Sequence, residues 1–284
     1  MTIAQNAASE KLPQLIETAE TLVTEQAYAE AEAVLQHALQ VAQQHQALDW
    51  QAKTHNALGM VRARQGAYVQ SINAFEASRD AYLKLDRIRA AAMVQRNIGL
   101  QYRRLGLFEM SDLHLQQSAD AFQQLQQACG MAFSQMERGT TQMWLGHYYE
   151  SERLLNEAKK RFADCEHESH GLYYASTYDR LATLFRNQGR WQEAADQYDR
   201  AFLKTPAGAS LSRGHILTNM AELAYQRGDF QASLAKSEEA LATFSATASR
   251  DDLLHCTTLK AKALFQLGRL NAALELLDPA LTLL

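Results

Sequence analysis

Apolar and small side chains return along this chain at helical spacing, in blocks broken by one recurring signature: glycine, any residue, an aromatic, two more residues, then a small one. Its instances start at Gln26 (with Tyr28 and Ala31), Gly66 (Tyr68, Ser71), Gly106 (Phe108, Ser111) and Gly146 (Tyr148, Ser151). They continue at Gly189 (Trp191, Ala194), Gly228 (Phe230, Ser233) and Gly268 (Leu270, Ala273). Successive starting positions differ by 40, 40, 40, 43, 39 and 40 residues. A fixed period of this length over a whole chain marks a repeat architecture. Glycine after a helical run supplies the left-handed residue that ends a helix, and the aromatic two positions on opens the next. Each period therefore predicts two helices, A and B, joined by a tight turn.

Two further slots accept only small residues. Seven positions before the turn stand Ala19, Gly59, Gly99, Gly139, Ala182, Ala221 and Ala261; twelve after it stand Ala38, Ser78, Ser118, Ala158, Ala201, Ala240 and Ala280. Such slots predict helices approaching too closely for a larger side chain, with the turn aromatics filling the wedge between them. A helical hairpin of this kind lacks a complete core of its own, so stacking on its neighbours must supply one.

With these residues in view, the chain resembles the tetratricopeptide-repeat family over roughly residues 10–284. Its period of about 40 residues exceeds the family's usual 34 and is similar to that of kinesin light chains, spindle-orientation adaptors and the peptide-sensing domains of bacterial Rap-type and PlcR-type regulators. Asn56-Ala57-Leu58-Gly59 and Asn97-Ile98-Gly99 with Leu105-Gly106 carry that likeness. The resemblance implies an all-α fold, a right-handed α-solenoid of about seven helix-turn-helix repeats, with a polar leader at 1–9 and one repeat domain at 10–284. The chain departs from the pattern where Gln26 replaces the turn glycine and where Lys260 occupies an apolar position of helix A.

Composition changes this picture little. The formal net charge of −4 argues against a nucleic-acid or anionic-membrane partner. No apolar run is long enough for a membrane span, and no signal peptide is evident, so a cytoplasmic location is expected. Cys129, Cys165 and Cys256 lie in different repeats and read as buried free thiols. Cys165-Glu166-His167-Glu168-Ser169-His170 holds zinc-type ligands, yet it falls where the spacing lengthens and lacks a second ligand pair, so it also reads as a polar inter-repeat loop. No nucleotide, hydrolase or metalloprotease motif is present, so neither an enzyme nor a cofactor is expected. The scattered histidines, His37, His55, His114 and His147 among them, read as ordinary helix residues; His215 and His255 share one repeat position.

What remains is the groove. In stacked hairpins the A helices line the concave face, and residues at 3-4-3 spacing share one side of a helix. Those positions include Lys53, Asn56 and Met60, then Met93, Arg96 and Arg103, then Phe133, Met136 and Met143. Further along they include Asp179 and Arg186, then His215, Glu222 and Tyr225. Methionines and aromatics among single charges and amides suit an adaptable peptide trough. Asn97 and Asn219, one position past the second groove slot, would hold an extended peptide by its backbone, as the resemblance to peptide-sensing domains implies. From Arg87 to Arg104 there are five arginines and no acid, which favours an acidic segment or a free C-terminal carboxylate, unless these arginines pair with acids on the adjacent helix.

The leading expectation is a protein- or peptide-binding scaffold, free-standing or the sensing or adaptor module of a larger regulator. A second is self-association through the apolar C-terminal repeat, with Leu281, Leu283 and Leu284 covered by another subunit. A metal protein or enzyme built on the Cys165–His170 cluster ranks last.

Overall fold

The computed structural model describes the backbone of residues 3–165, 170–244 and 248–281, and the side chains of all these except 3–10, 170 and 278–281. The described residues form helices and connections without strands. In chain order the helices are α1 (Ile3–Thr24), α2 (Tyr28–Gln44), α3 (Leu48–Arg64), α4 (Tyr68–Lys84), α5 (Ile88–Arg104), α6 (Phe108–Gln124) and α7 (Ala128–Trp144). There follow α8 (Tyr148–Ala163), α9 (His170–Asn187), α10 (Trp191–Lys204), α11 (Ser210–Gln226), α12 (Phe230–Thr243), α13 (Arg250–Gln266) and α14 (Leu270–Leu281). The first begins at Ile3, inside the segment 1–9 expected as a polar leader.

The turns end helices as the glycines predict. Gly66, Gly106, Gly146, Gly189, Gly228 and Gly268 all have φ between 73° and 79°. Around Gly66 the link is a Schellman motif: Gly66 N–H donates to the Ala63 carbonyl at 3.2 Å, and Ala67 N–H to the Arg62 carbonyl at 2.9 Å. Gln26 adopts the same conformation at φ 61°. So do Gln46, Asp86 and Gln126, at φ 53°, 56° and 55°, which the glycine signature did not reveal. The first three connections between repeats therefore use the same left-handed exit as the turns within them, whereas α10 and α12 end at Thr205 and Phe244 with φ −78° and −58°.

Tertiary contacts divide the chain into two units, Met1–Leu154 and Leu155–Leu284. In the first, each helix from α1 to α7 packs on the next, and beyond immediate neighbours α1 touches α3 and α5 touches α7. In the second, α9 to α14 pack in the same succession, and α9 touches α11 and α11 touches α13. The next-nearest contacts thus join A helices to A helices. That is the packing of an α-solenoid, in which each hairpin borrows its core from its neighbours.

The small slots are buried as expected: Ala19, Gly59, Ala182, Ala221 and Ala261 on the A side, and Ala38, Ser78, Ser118, Ala158, Ala201 and Ala240 on the B side. The turn aromatics differ from expectation. Tyr148 and Trp191 remain 37% and 38% exposed, at the edge of the stack. The wedge is filled by the residue nine positions after the turn, Leu35, Phe75, Leu115, Leu155 and Tyr198, all essentially sealed from solvent. This large slot explains the small one. A Cβ at Gly59 would lie 2.6 Å from the Phe75 ring, and one at Gly99 would lie 2.8 Å from Leu115 Cγ.

Candidate peptide-binding groove

Within the first unit the A helices α3, α5 and α7 carry most of the expected groove residues. Lys53 and Asn56 sit a helical turn apart on α3, both half-buried. Lys53 Nζ pairs with Asp49 Oδ2 at 2.9 Å and lies 4.4 Å from the centre of the Trp50 ring. Asp49 also pairs with Arg87, the residue just before α5, at 2.7 Å. Asn56 Oδ1 is shut off from solvent, and no protein donor reaches it. Met60 on α3, beside Lys53 and Asn56, is 52% exposed, and Met93 on α5, near Arg87, is 45% exposed.

On α5, Arg96 lies over the Phe133 ring of α7 at 5.1 Å, and Asn97 is half-buried, its backbone carbonyl accepting from Gln101 Nε2 at 3.3 Å. Arg103 is held more firmly. It donates to Glu137 Oε2 at 2.6 Å and to the Glu137 carbonyl at 2.9 Å, and both side chains are largely buried. The basic stretch therefore contains structural pairs: Arg87 with Asp49, and Arg103 with Glu137. Met136 and Met143 on α7 are 2% and 7% exposed, so they lie beneath the surface and support it.

The second unit carries a ladder of polar pairs between its A helices. Asn219 Nδ2 on α11 donates to Asp179 Oδ1 on α9 at 2.9 Å, and Arg186 on α9 donates to Glu222 Oε2 on α11 at 2.9 Å. His215 Nε2 on α11 lies 3.0 Å from Asp252 Oδ1 on α13. Burial pushes the Asp179 carboxyl above its ordinary value, opposed by the Asn219 hydrogen bond and by Arg180, Arg186 and His215 nearby. Arg186 Nε is buried without an acceptor. Asp179, Arg186 and Asn219 are thus brought together by partners one repeat apart, and His215 and His255 are not, because His215 turns to Asp252.

Other candidates resolve differently. Cys129 and Cys165 are each disulfide-bonded, which corrects the expectation of free thiols; Cys256 is the free one, and burial pushes its thiol up. Cysteine usage therefore gives no support to a reducing compartment. Glu166 to Ser169 and the His170 side chain lie outside the described residues, and among the described residues no group of His, Cys, Asp and Glu could hold a metal ion. His114 is structural: Gln95 Nε2 meets its Nδ1 at 2.9 Å, Tyr102 stacks on its ring at 4.9 Å, and burial lowers its pKa, helped by Arg79. Among the described residues no helix is long and apolar enough to cross a membrane. The sequence reading missed Trp50, Arg64 and Tyr82, which line a cavity with Lys53, Asn56 and Met60. Trp50 falls one turn before Lys53 on α3, outside the four groove slots.

Residues 175–204, spanning most of α9 and all of α10, match the family model described as tetratricopeptide repeat. Among curated proteins no sequence matches the chain significantly. Among solved structures, the apo form of RapI is 12% identical and aligns over 94% of this chain and 94% of that one, with a TM-score of 0.69. A complex of NprR with its cognate peptide NprX is 12% identical, covering 92% of this chain and 75% of that one, with a TM-score of 0.69. A Rap protein complexed with Competence and Sporulation Factor is 17% identical, covering 94% of this chain and 73% of that one, with a TM-score of 0.67. At these identities the likeness speaks to fold, and it agrees with the turns, the small slots and the A-to-A packing. The fold is that of the tetratricopeptide-repeat proteins, and the hairpin of α9 and α10 is the part of the chain that matches that family's model.

Proposed function

We propose that this chain is a non-catalytic scaffold that holds an extended peptide or protein segment against its A helices, as the sensing or adaptor module of a larger regulator or on its own. The observation that carries this reading is the face shared by α3 and α5. There Met60 and Met93 stay exposed beside Lys53, Asn56, Arg96 and Asn97, a mixture of apolar grip and hydrogen-bonding groups that neither a core nor a plain solvent face requires. NprR, a protein of the same fold, is seen in complex with its cognate peptide, which supports the same class of ligand here. Arg96, over the Phe133 ring, is a planar cation of the kind that pairs with carboxylates, which favours a segment bearing acidic side chains or a C-terminal carboxylate.

The test is a peptide display selection on the full chain, with acidic and neutral libraries compared at low and physiological salt. Enrichment of acidic sequences that is lost in Arg96→Ala supports the reading; equal recovery of both libraries, unchanged by Arg96→Ala, refutes the acidic preference. A second reading, self-association through the last repeat, draws support from Phe265, Leu270 and Leu274, which are exposed on α13 and α14. Leu283 and Leu284, and the side chain of Leu281, lie outside the described residues. Sedimentation over a range of concentrations decides it: a strict monomer rules it out.

A further inference from the structure

Helix α5 presents two faces. Met93, Arg96 and Arg103 belong to the groove, whereas Ile88, Ala91, Ala92 and Gln95, at i, i+3, i+4 and i+7, floor a cavity of about 280 Å³ between the B helices α4 and α6. Arg79 and Leu83 of α4 make one wall, and Gln117 and Ala121 of α6 the other. The repeat frame does not demand polar residues here. Forty residues to either side, the position of Arg79 holds Leu39 and Ala119, and that of His114 holds Ala74 and Leu154.

Hydrogen bonds orient this polar cluster in one sense. A guanidinium only donates, so the Gln95 oxygen must face Arg79, and Gln95 Oε1 accepts from Arg79 Nη1 at 3.3 Å. That turns Gln95 Nε2 toward His114 Nδ1, at 2.9 Å, and toward Gln117 Oε1. The His114 ring can accept because burial, helped by Arg79, lowers its pKa and keeps it neutral. The side-chain acceptors are thus engaged inside the cluster, and donors are left over. Asp80 Oδ1 takes Nε and Nη2 of Arg79 at 3.0 and 2.8 Å, so with the Gln95 bond three of the five guanidinium N–H groups are engaged and two are not. Gln117 keeps the two N–H groups of its amide, for which the described residues supply no acceptor. Both side chains reach solvent, Arg79 at 24% exposure and Gln117 fully in the exposed class.

We propose that this cavity binds a small organic acid, a single carboxylate on a short apolar chain, with the carboxylate between Arg79 and Gln117 and the chain on Leu83, Ile88 and Ala91. Spare donors without a spare acceptor call for an occupant that only accepts, as an ionised carboxylate does. A peptide segment would bring N–H groups for which the lining holds no unengaged side-chain acceptor. An apolar cavity of about 150 Å³ takes benzene, so the space here accommodates a chain of roughly six carbons. The site lies on another face of α5 from the groove, so its failure leaves the peptide reading untouched.

The probe is hexanoate, titrated into the full chain with isotope-labelled alanine methyls, so that Ala91, Ala92 and Ala121 report the cavity by NMR. Hexanol has the chain without the carboxylate, acetate the carboxylate without the chain, and N-acetyl-leucine stands for a peptide C-terminus. Saturable shifts of the three methyls by hexanoate in the millimolar range are expected, with hexanol and acetate weaker by roughly tenfold or more. Arg79→Gln should weaken hexanoate by roughly tenfold or more, and Gln117→Leu by roughly 2- to 10-fold. Leu83→Glu changes an exposed residue and sets a carboxylate on the wall, so it should abolish hexanoate binding and spare the fold, as a thermal melt checks. Hexanoate that binds no better than hexanol, or equally well to wild type, Arg79→Gln and Leu83→Glu, overturns the proposal. So does saturation read at Ala19 and Ala57, in the cavity between α1 and α3, in place of the three methyls. N-acetyl-leucine binding more tightly than hexanoate would assign the site to a peptide C-terminus and overturn it likewise.

Discussion

Ser71 Oγ donates a hydrogen bond of 2.6 Å to the backbone carbonyl of Gly59, tying the B helix of the second repeat to its A helix. The same bond recurs two repeats later, where Ser151 Oγ donates to the Gly139 carbonyl at 2.7 Å. Ser78 and Ser118 donate likewise across hairpins, to the carbonyls of Ala52 and Ala92 at 2.7 and 2.8 Å. At Ser71, Ser78, Ser118 and Ser151 the small slot is therefore both spacer and fastener, since a helix carbonyl has a second lone pair to give, whereas the buried Ser233 Oγ finds no partner.

The contact makes a prediction for Gly59→Ala. Alanine has the better helix propensity by about 1 kcal/mol, but its Cβ would sit 2.6 Å from two atoms of the Phe75 ring, which is locked in the core. Overpacking of this sort costs about 1–3 kcal/mol, so a net loss is expected. The double variant Gly59→Ala with Phe75→Leu should recover part of it. Urea midpoints measure both; a gain in stability for Gly59→Ala alone would show that Phe75 can give way.

A second prediction concerns the left-handed turn residues that are not glycine. Gln26 holds φ 61° where the equivalent residue of every later turn is glycine. A side chain in this region costs on the order of 1 kcal/mol, so Gln26→Gly should stabilise the first repeat by about that amount, less the entropy that glycine adds to the unfolded chain. Hydrogen exchange should then slow in α1 and α2 alone. Unchanged exchange there would mean that the end of the stack is limited by its missing neighbour and not by its turn.

The turns and small slots were legible because each imposes a local demand that few side chains meet. The inter-repeat exits at Gln46, Asp86 and Gln126 were not, since a residue with a full side chain in the left-handed region leaves no mark in the sequence. The slot filled by Leu35, Phe75, Leu115 and Tyr198 was also hidden: its residues differ in size and polarity and look like any apolar position of an amphipathic helix. In the groove, helical spacing placed Lys53, Asn56 and Arg96 on one face, but it could not tell an exposed methionine such as Met93 from a buried one such as Met136. Both sit at groove-slot spacing on A helices, and only the packing of adjacent helices separates them. The pairing of Arg103 with Glu137, 34 residues on, was invisible for the same reason.

The third prediction is a pH dependence at Asp179. Burial raises its carboxyl above the ordinary 3.8, with Asn219 and the nearby arginines opposing the shift. The folded state therefore binds its proton more tightly than the unfolded state does. Stability from this group is intact below the ordinary value and falls as pH rises toward the folded one, because the unfolded chain releases the proton first. Asp179→Asn keeps an acceptor for the Asn219 amide and removes the titration. The difference in unfolding free energy between the variant and wild type should be small at pH 3, grow in favour of the variant as pH rises, and level off above the folded pKa. A difference that stays flat from pH 3 to 8 would show that the neighbouring charges cancel the burial.

The fourth prediction separates two arginines that look equivalent in sequence, both on the groove face of α5. Arg103 is bound twice by Glu137, through carboxylate and carbonyl, in a largely buried setting. Arg103→Ala removes two charge-assisted hydrogen bonds, one from the Glu137 carboxylate and one from its backbone carbonyl, where solvent barely reaches, so a stability loss of about 1–3 kcal/mol is expected. Arg96 lies over Phe133, a contact worth about 0.5–1 kcal/mol, and the melt of Arg96→Ala measures its whole contribution to the fold. Binding should separate the two arginines. Arg96→Ala should lose the acidic peptides selected on wild type, by roughly tenfold for one charge-assisted contact, while Arg103→Ala should retain them below its lowered melting temperature. Glu137→Gln supplies the control, since it weakens the Arg103 pair without touching either arginine. If Arg103→Ala and Glu137→Gln abolish binding at temperatures where both remain folded, and Arg96→Ala does not, the carboxylate contact belongs to Arg103 and the assignment of the groove must shift toward α7.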